Sequence, residues 1–156
     1  MKSKICTTIE QSKKLLEFGV DVKTADMFYA DLLIDNKHKY IMYPLESYGF
    51  KTFKDTNKIE SAKLKFIPTW SLSSLMNLLP SEFTEIGKYS TTTYTIDIRK
   101  YKFTDDTDLH QIAYGNYKVY EDGSSSWKDI INTGEKEDLL DAVFDMIVWL
   151  KENKKI

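Results

Sequence analysis

The sequence predicts an α+β protein in which a mainly antiparallel sheet is covered by N-terminal, middle and C-terminal helices. Three observations carry that expectation. The chain closes on a long segment, 135–153, whose apolar residues recur at helical spacing. Two stretches, 27–43 and 94–120, are rich in β-branched and aromatic residues with turn formers between them. Shorter helix signals stand near the N-terminus and between Pro68 and Pro80. At 156 residues folding buries roughly 70% of the surface an unfolded chain exposes, so residues 1–156 are read as a single domain.

The first helix is expected over 8–18. Thr7-Thr8-Ile9-Glu10 has the hydroxyl-to-carboxylate spacing of a capping box, and Gly19 stands where a left-handed stop belongs. Ile9, Leu15, Leu16 and Phe18 form its apolar stripe. From Met27 to Tyr43, MFYADLLI and KYIMY flank Asp35-Asn36-Lys37-His38, which reads as a hairpin with a loop of about four residues, a helix for the first run being the competing reading; Pro44, lacking an amide proton, ends the second strand. Residues 45–58 have no clean period and read as a long loop or irregular edge strand, and 63–67 as a weak strand stopping at Pro68.

Between the prolines, Ser71 can cap a short helix carrying Leu72, Leu75, Met76 and Leu79. Tyr94 to Phe103 alternates with Ile96 and Ile98 on one face and Asp97 and Arg99 on the other. Its phase slips at Tyr101, which predicts a bulge near Lys100. Gln111 to Tyr120 slips in the same way around Gly115-Asn116, and Asp122-Gly123 closes it with a turn. The last helix, 135–153, has acids at its start and Lys151, Lys154 and Lys155 at or beyond its end, as the helix dipole favours. Leu139, Leu140, Val143, Phe144, Met146, Ile147 and Leu150 make a band wide enough to lie across a sheet, and Asp141, Asp145 and Glu152 exclude a membrane span there.

Composition removes several function classes. With 42% hydrophobic and 29% charged residues the chain is far from a disordered one. The 22 basic and 24 acidic residues give no bulk positive field, so nucleic-acid binding is disfavoured. It would need Arg99, Lys100, Lys102 and Lys118 gathered beside tyrosines on one sheet face. Cys6 is the single cysteine, which excludes an intrachain disulfide and a zinc site with two thiolates. No signal-peptide core and no apolar run of about 18 residues occurs, so the expected setting is the cytosol, with no membrane partner.

Chemical motifs are sparse. Phosphate-binding glycine loops and the GxSxG elbow are absent from the sequence. Ser71–Ser74 and Ser124–Ser126 read as cap and turn chemistry. Cys6 with His38 or His110 could pair as thiolate and imidazole if the fold joined them, but no local motif supports this. Asp138, Asp141, Asp145 and Glu152 read as a solvated helix face, and Asp105, Asp106 and Asp108 as a charged hairpin connection lacking the glycine and glutamate of a calcium loop. No catalytic residue, metal or cofactor is expected. The one positive signal is aromatic: 10 Tyr, 8 Phe and 3 Trp. Tyr48, Phe50, Phe53 and Trp127, in segments read as irregular, are the candidate partner-binding residues.

TADMFY, IPTWSLSSLMNLLP and DAVFDMIVWLKEN together resemble a recurring group of small uncharacterised proteins encoded by bacteriophages and integrated elements of gut Bacteroidetes. The resemblance runs along nearly the whole chain and implies a shared fold and a setting, an accessory protein in a bacterial cytoplasm. It carries no activity onto particular residues. The function expected is a non-enzymatic module binding a protein partner or itself. The alternative is a small-molecule-binding protein or enzyme with a pocket between sheet and helices, served by tyrosines, His110 or Arg99.

Overall fold

The computed structural model describes residues 4–34, 37–44, 66–102 and 107–156. The expected loop 45–58 and residues 63–65, 105 and 106 lie outside them. The chain divides into two compact units, Met1–Leu75 and Met76–Ile156. Each has its own antiparallel sheet, so the α+β class follows with the strands shared between two sheets.

In the first unit, helix α1 runs Ile9–Glu17. Its capping box is real but one residue later than the sequence pattern suggests: Thr8 Oγ1 accepts from the Gln11 N–H, and Gln11 Oε1 accepts from the Thr8 N–H. Thr7 is instead drawn inside. Its hydroxyl joins those of Ser12 (2.8 Å) and Thr69 (2.6 Å), and all three residues are fully buried. The network satisfies itself, so these polar groups leave water without the cost of an unmade bond. At the helix end Gly19 takes φ 72°, while the Val20 N–H reaches Leu15 O and the Gly19 N–H reaches Leu16 O. That is a Schellman stop, with Leu15 and Val20 buried beneath it.

Strands β1 (Met27–Ile34) and β2 (Lys37–Pro44) pair as the expected hairpin. Pairing extends to Ile34↔Lys37, so only two residues separate the strands. Strand β3 (Phe66–Thr69) adds to the other side of β1. It runs through Pro68 where the sequence suggests a stop, because an edge strand can spare an outward amide. Phe28 stacks on its cross-strand partner Tyr43 and meets Phe66 edge-on. Trp70 is wholly buried, its Nε1–H bonded to Thr24 Oγ1 at 2.9 Å. Asp26 receives the Ser71 N–H and hydroxyl, and Ser71 Oγ accepts the Ser74 N–H of the short helix α2 (Leu72–Met76), the expected cap.

The second unit is a meander, β4 (Glu82–Ile86), β5 (Thr91–Lys102), β6 (Asp108–Val119) and β7 (Ser125–Asn132), in that spatial order. The β5–β6 register is unbroken from Thr95↔Gly115 to Lys102↔Asp108, so the bulge expected near Lys100 does not form. The slip at Tyr101 has another cause: Lys100, Tyr101 and Lys102 are exposed, and burial there no longer enforces alternation. A register shift does occur between Tyr114 and Gly115, against β7, with Ile130 as the extra residue.

Phe83, Tyr94 and Tyr114 pack ring against ring on one sheet face with Ile112 beside Tyr114 along β6. The Tyr114 hydroxyl donates to Pro80 O at 2.5 Å, and burial raises its pKa. Helix α3 (Leu139–Glu152) covers this face: beyond its end, Lys155 bonds Glu85 and lies over the Phe83 ring. Leu140, Val143, Phe144, Met146, Ile147 and Leu150 are buried as expected, each worth about 1.5–3 kcal/mol by transfer from water; Leu139 is half-buried. The helix begins later than 135 because Lys136 makes a β-bridge to His110 and Asp138 takes the N-cap, accepting from the Leu140 N–H. Among the described residues no helix is long and apolar enough to cross a membrane.

α3 ends in the same stop as α1, with the Lys155 N–H on Leu150 O and the Lys154 N–H on Lys151 O. Here, however, the left-handed position holds a side chain, Lys154 at φ 53°. A non-glycine residue there costs roughly 1–2 kcal/mol, part of which glycine would return as chain entropy. Lys154→Gly is therefore expected to stabilise the protein by about 0.5–1 kcal/mol. Urea denaturation would read this as a higher midpoint at unchanged slope, and an unchanged or lower midpoint would show that Lys154 is not strained.

Candidate functional site

The sheet face opposite α3 carries an ordered cluster of the residue types that anchor interfaces. Alternation along β7 puts Trp127 and Asp129 on that face, and pairing sets them against Tyr117 and Gly115 of β6. The Trp127 Nε1–H donates to Asp129 Oδ1 at 2.5 Å, and the indole meets the Tyr117 ring edge-on at 5.2 Å. Its six-membered ring lies where a side chain at Gly115 would be: a Cβ there would stand 2.8 Å from Cε2 and Cζ2. The glycine thus makes room for the tryptophan.

Arg99 of β5 ties the cluster together. Its Nη1 and Nη2 donate to the two Asp129 oxygens at 2.9 and 2.6 Å, and its Nε donates to Asp97 at 2.6 Å. Gln111 Oε1 accepts from Arg99 Nη1 and from the Tyr101 hydroxyl, both at 3.2 Å. The guanidinium carbon lies 6.0 Å from the Trp127 ring. The fork raises Arg99 further above its ordinary pKa, chiefly through Asp129, and Arg99 in turn holds the Asp129 carboxyl below the usual range. Arg99 and Asp129 side chains are 23% and 25% exposed, so solvent screens the pair and its stabilisation is on the order of 1 kcal/mol. Its larger effect is geometric: Arg99, Asp129, Asp97, Gln111 and Trp127 are held in one hydrogen-bonded cluster. Tyr117, 70% exposed, stands beside them.

Trp127 is the one sequence-predicted binding residue within the described structure, and it sits in a strand, not in an irregular segment. SSSW reads as a turn because of its serines, yet Ser125 and Ser126 already pair with Val119 and Lys118. Tyr48, Phe50 and Phe53 lie outside the described residues. Arg99, named from the sequence only as a group for a ligand pocket or a nucleic-acid face, joins Trp127 through register, since nothing in the sequence links it to Asp129, thirty residues on. Gly115 did carry a signal, as a lone glycine inside a strand pattern marks a bulge or a close approach.

Among the described side chains the other candidates do not assemble; those of His38 and Lys118 lie outside them. Strand alternation sends Lys100 and Lys102 to the face opposite Arg99, and Lys100 pairs with Asp108 at 2.8 Å. Cys6 is buried against the Tyr29 hydroxyl and Met42 Sδ; burial first, and Cys6 second, push Tyr29 up to about 12. Asp138 is a cap and Asp145 pairs with Lys136. No metal-holding group of His, Cys, Asp and Glu occurs among the described residues. A groove of about 680 Å³ lies beside β4, between Phe83, Glu85, Tyr94, Ser90, Lys154 and Lys155. No family model, curated protein or solved structure matches this chain.

Proposed function

We propose that the chain is a non-enzymatic interaction module, an accessory protein of bacteriophage or mobile-element origin working in a bacterial cytoplasm, that docks a protein partner on the Arg99–Trp127–Tyr117 face. The observation that carries this reading is the fixed aromatic and guanidinium cluster. Trp, Tyr and Arg dominate interface energetics because they bring large contact area with little rotamer entropy to lose. Here Trp127 and Arg99 are already immobilised by Asp129, so binding would not have to order them.

Native mass spectrometry of the protein purified from its host is expected to record a second polypeptide at fixed stoichiometry. Tyr117→Ala removes an exposed ring and leaves the core intact, and is expected to weaken that complex by about tenfold or more. A bare chain, or a complex indifferent to Tyr117→Ala, would refute the assignment. The alternative of a ligand pocket between sheet and helix has the groove beside β4 in its favour, although Arg99 lies on the other face. A retained small-molecule mass would support that alternative.

A further inference from the structure

Among the described residues the two sheets have four edges, and three carry a proline, a lysine or a bulge, devices that discourage pairing with another chain. β2 has Lys37, Lys39 and Pro44; β3 has Pro68; β7 has the bulge at Ile130 and Lys128. β4, EFTEI, has neither proline, lysine nor bulge.

Its hydrogen bonding can be followed residue by residue. Ile96 N–H bonds Ser81 O and Gly87 N–H bonds Ser90 O, which sets the narrow pairs of the β4–β5 ladder at odd-numbered β4 residues. Glu82, Thr84 and Ile86 therefore turn their N–H and C=O groups outward, and all three are exposed. Ile86 is 86% exposed, and Tyr89 in the following turn 88%.

We propose that β4 is a self-association edge, pairing antiparallel with β4 of a second copy about a two-fold axis at Thr84. The outward groups admit this register, with Thr84 opposite Thr84 and Glu82 opposite Ile86, each pair exchanging both of its N–H···O bonds. On the alternate positions Phe83 faces Glu85. No glutamate meets a glutamate, although β4 carries two in five residues, and a threonine pair at the centre is favourable.

Charge selects a second copy over an unrelated strand. The groove alongside β4 holds Lys154 and Lys155 but one acid, Glu85, already bonded to Lys155, so it keeps a net positive charge that favours an incoming carboxylate. In this register Glu85 of the second copy stands opposite Phe83, whose ring lies under Lys155, and so brings a carboxylate to the face that carries the lysines. This surface is separate from the Arg99–Trp127 face, and either can fail without the other.

Sedimentation velocity on the full chain over a concentration series tests the proposal. The wild type is expected to dimerise, and Thr84→Pro to weaken the dimer by about tenfold or more, because proline removes the outward amide at the two-fold. Thr84→Lys, which keeps that amide but sets two ammonium groups face to face, is expected to do the same if the proline variant misfolds. Thr84→Cys should form a disulfide-linked dimer on mild oxidation, with buried Cys6 inert in the parent. A wild type monomeric throughout, or a dimer unmoved by both substitutions at native circular dichroism, would overturn the proposal. So would a monomer that captures a different chain through this edge.

Discussion

Trp70→Ala is expected to destabilise the protein by about 3–5 kcal/mol, the range for removing a buried aromatic when the site cannot collapse around the void. The ring has no exposed surface, and its surroundings are held by bonds the substitution leaves in place. Thr7 Oγ1 still accepts the residue-70 N–H, and Thr7 N–H still reaches the residue-70 carbonyl. Those bonds pin the backbone and prevent relaxation into the space. The lost Nε1–H contact to Thr24 matters less, because Thr24 is half-buried and also donates to Asp21 O. Domains are stable by only about 5–15 kcal/mol in all, so the variant should be partly unfolded at 37 °C. Urea denaturation followed by far-UV circular dichroism checks this, and a loss under about 1.5 kcal/mol would mean that Trp70 is not central to its unit.

Gly115→Ala is expected to cost about 2–3 kcal/mol, at the upper end for overpacking by one methyl group. The new Cβ would stand 2.3 Å from Lys128 O, a backbone atom that no rotamer change can move, and 2.8 Å from the Trp127 ring. β7 has to shift, and with it the Trp127–Asp129–Arg99 bonds. Removing the indole in a Gly115→Ala/Trp127→Ala double variant should recover only part of the loss, since the carbonyl contact remains. Full recovery would place the strain in the ring alone, and a neutral Gly115→Ala would show that the strands are not this close. If the Arg99–Trp127–Tyr117 face docks a partner as proposed, the same substitution should weaken that binding by displacing Trp127.

These two positions also show what could be read in advance. Helices and hairpins were legible because their signals are local: Thr8 and Gln11 are three residues apart, and Gly19 stops α1 through bonds to Leu15 and Leu16. The capping box was misplaced by one residue because Thr7 and Thr8 are equivalent to a cap pattern; burial against Thr69 decides between them. The same parity slip occurs around Lys100 and around Gly115-Asn116: no bulge forms at Lys100, and the register shift beside Gly115 has its extra residue, Ile130, on the partner strand β7. The candidate site was largely illegible. Arg99, Asp129, Trp127 and Gly115 come together through the registers of two strand pairs, which composition does not encode, and only the excess of aromatics hinted that some would stand at a surface.

The buried hydroxyls of the first unit impose an order of assembly. β1 and β2 are sequence neighbours and can close within microseconds. α1 has nine residues, too few to persist alone in water, and the partners that hold Thr7 and Ser12 lie 62 and 57 residues further along. At a synthesis rate of about 5–20 residues per second that interval is roughly 3–12 s, during which those hydroxyls remain hydrated and the apolar side of α1 uncovered. Helix α1 is thus held in place only when Thr69 and Trp70 have been made.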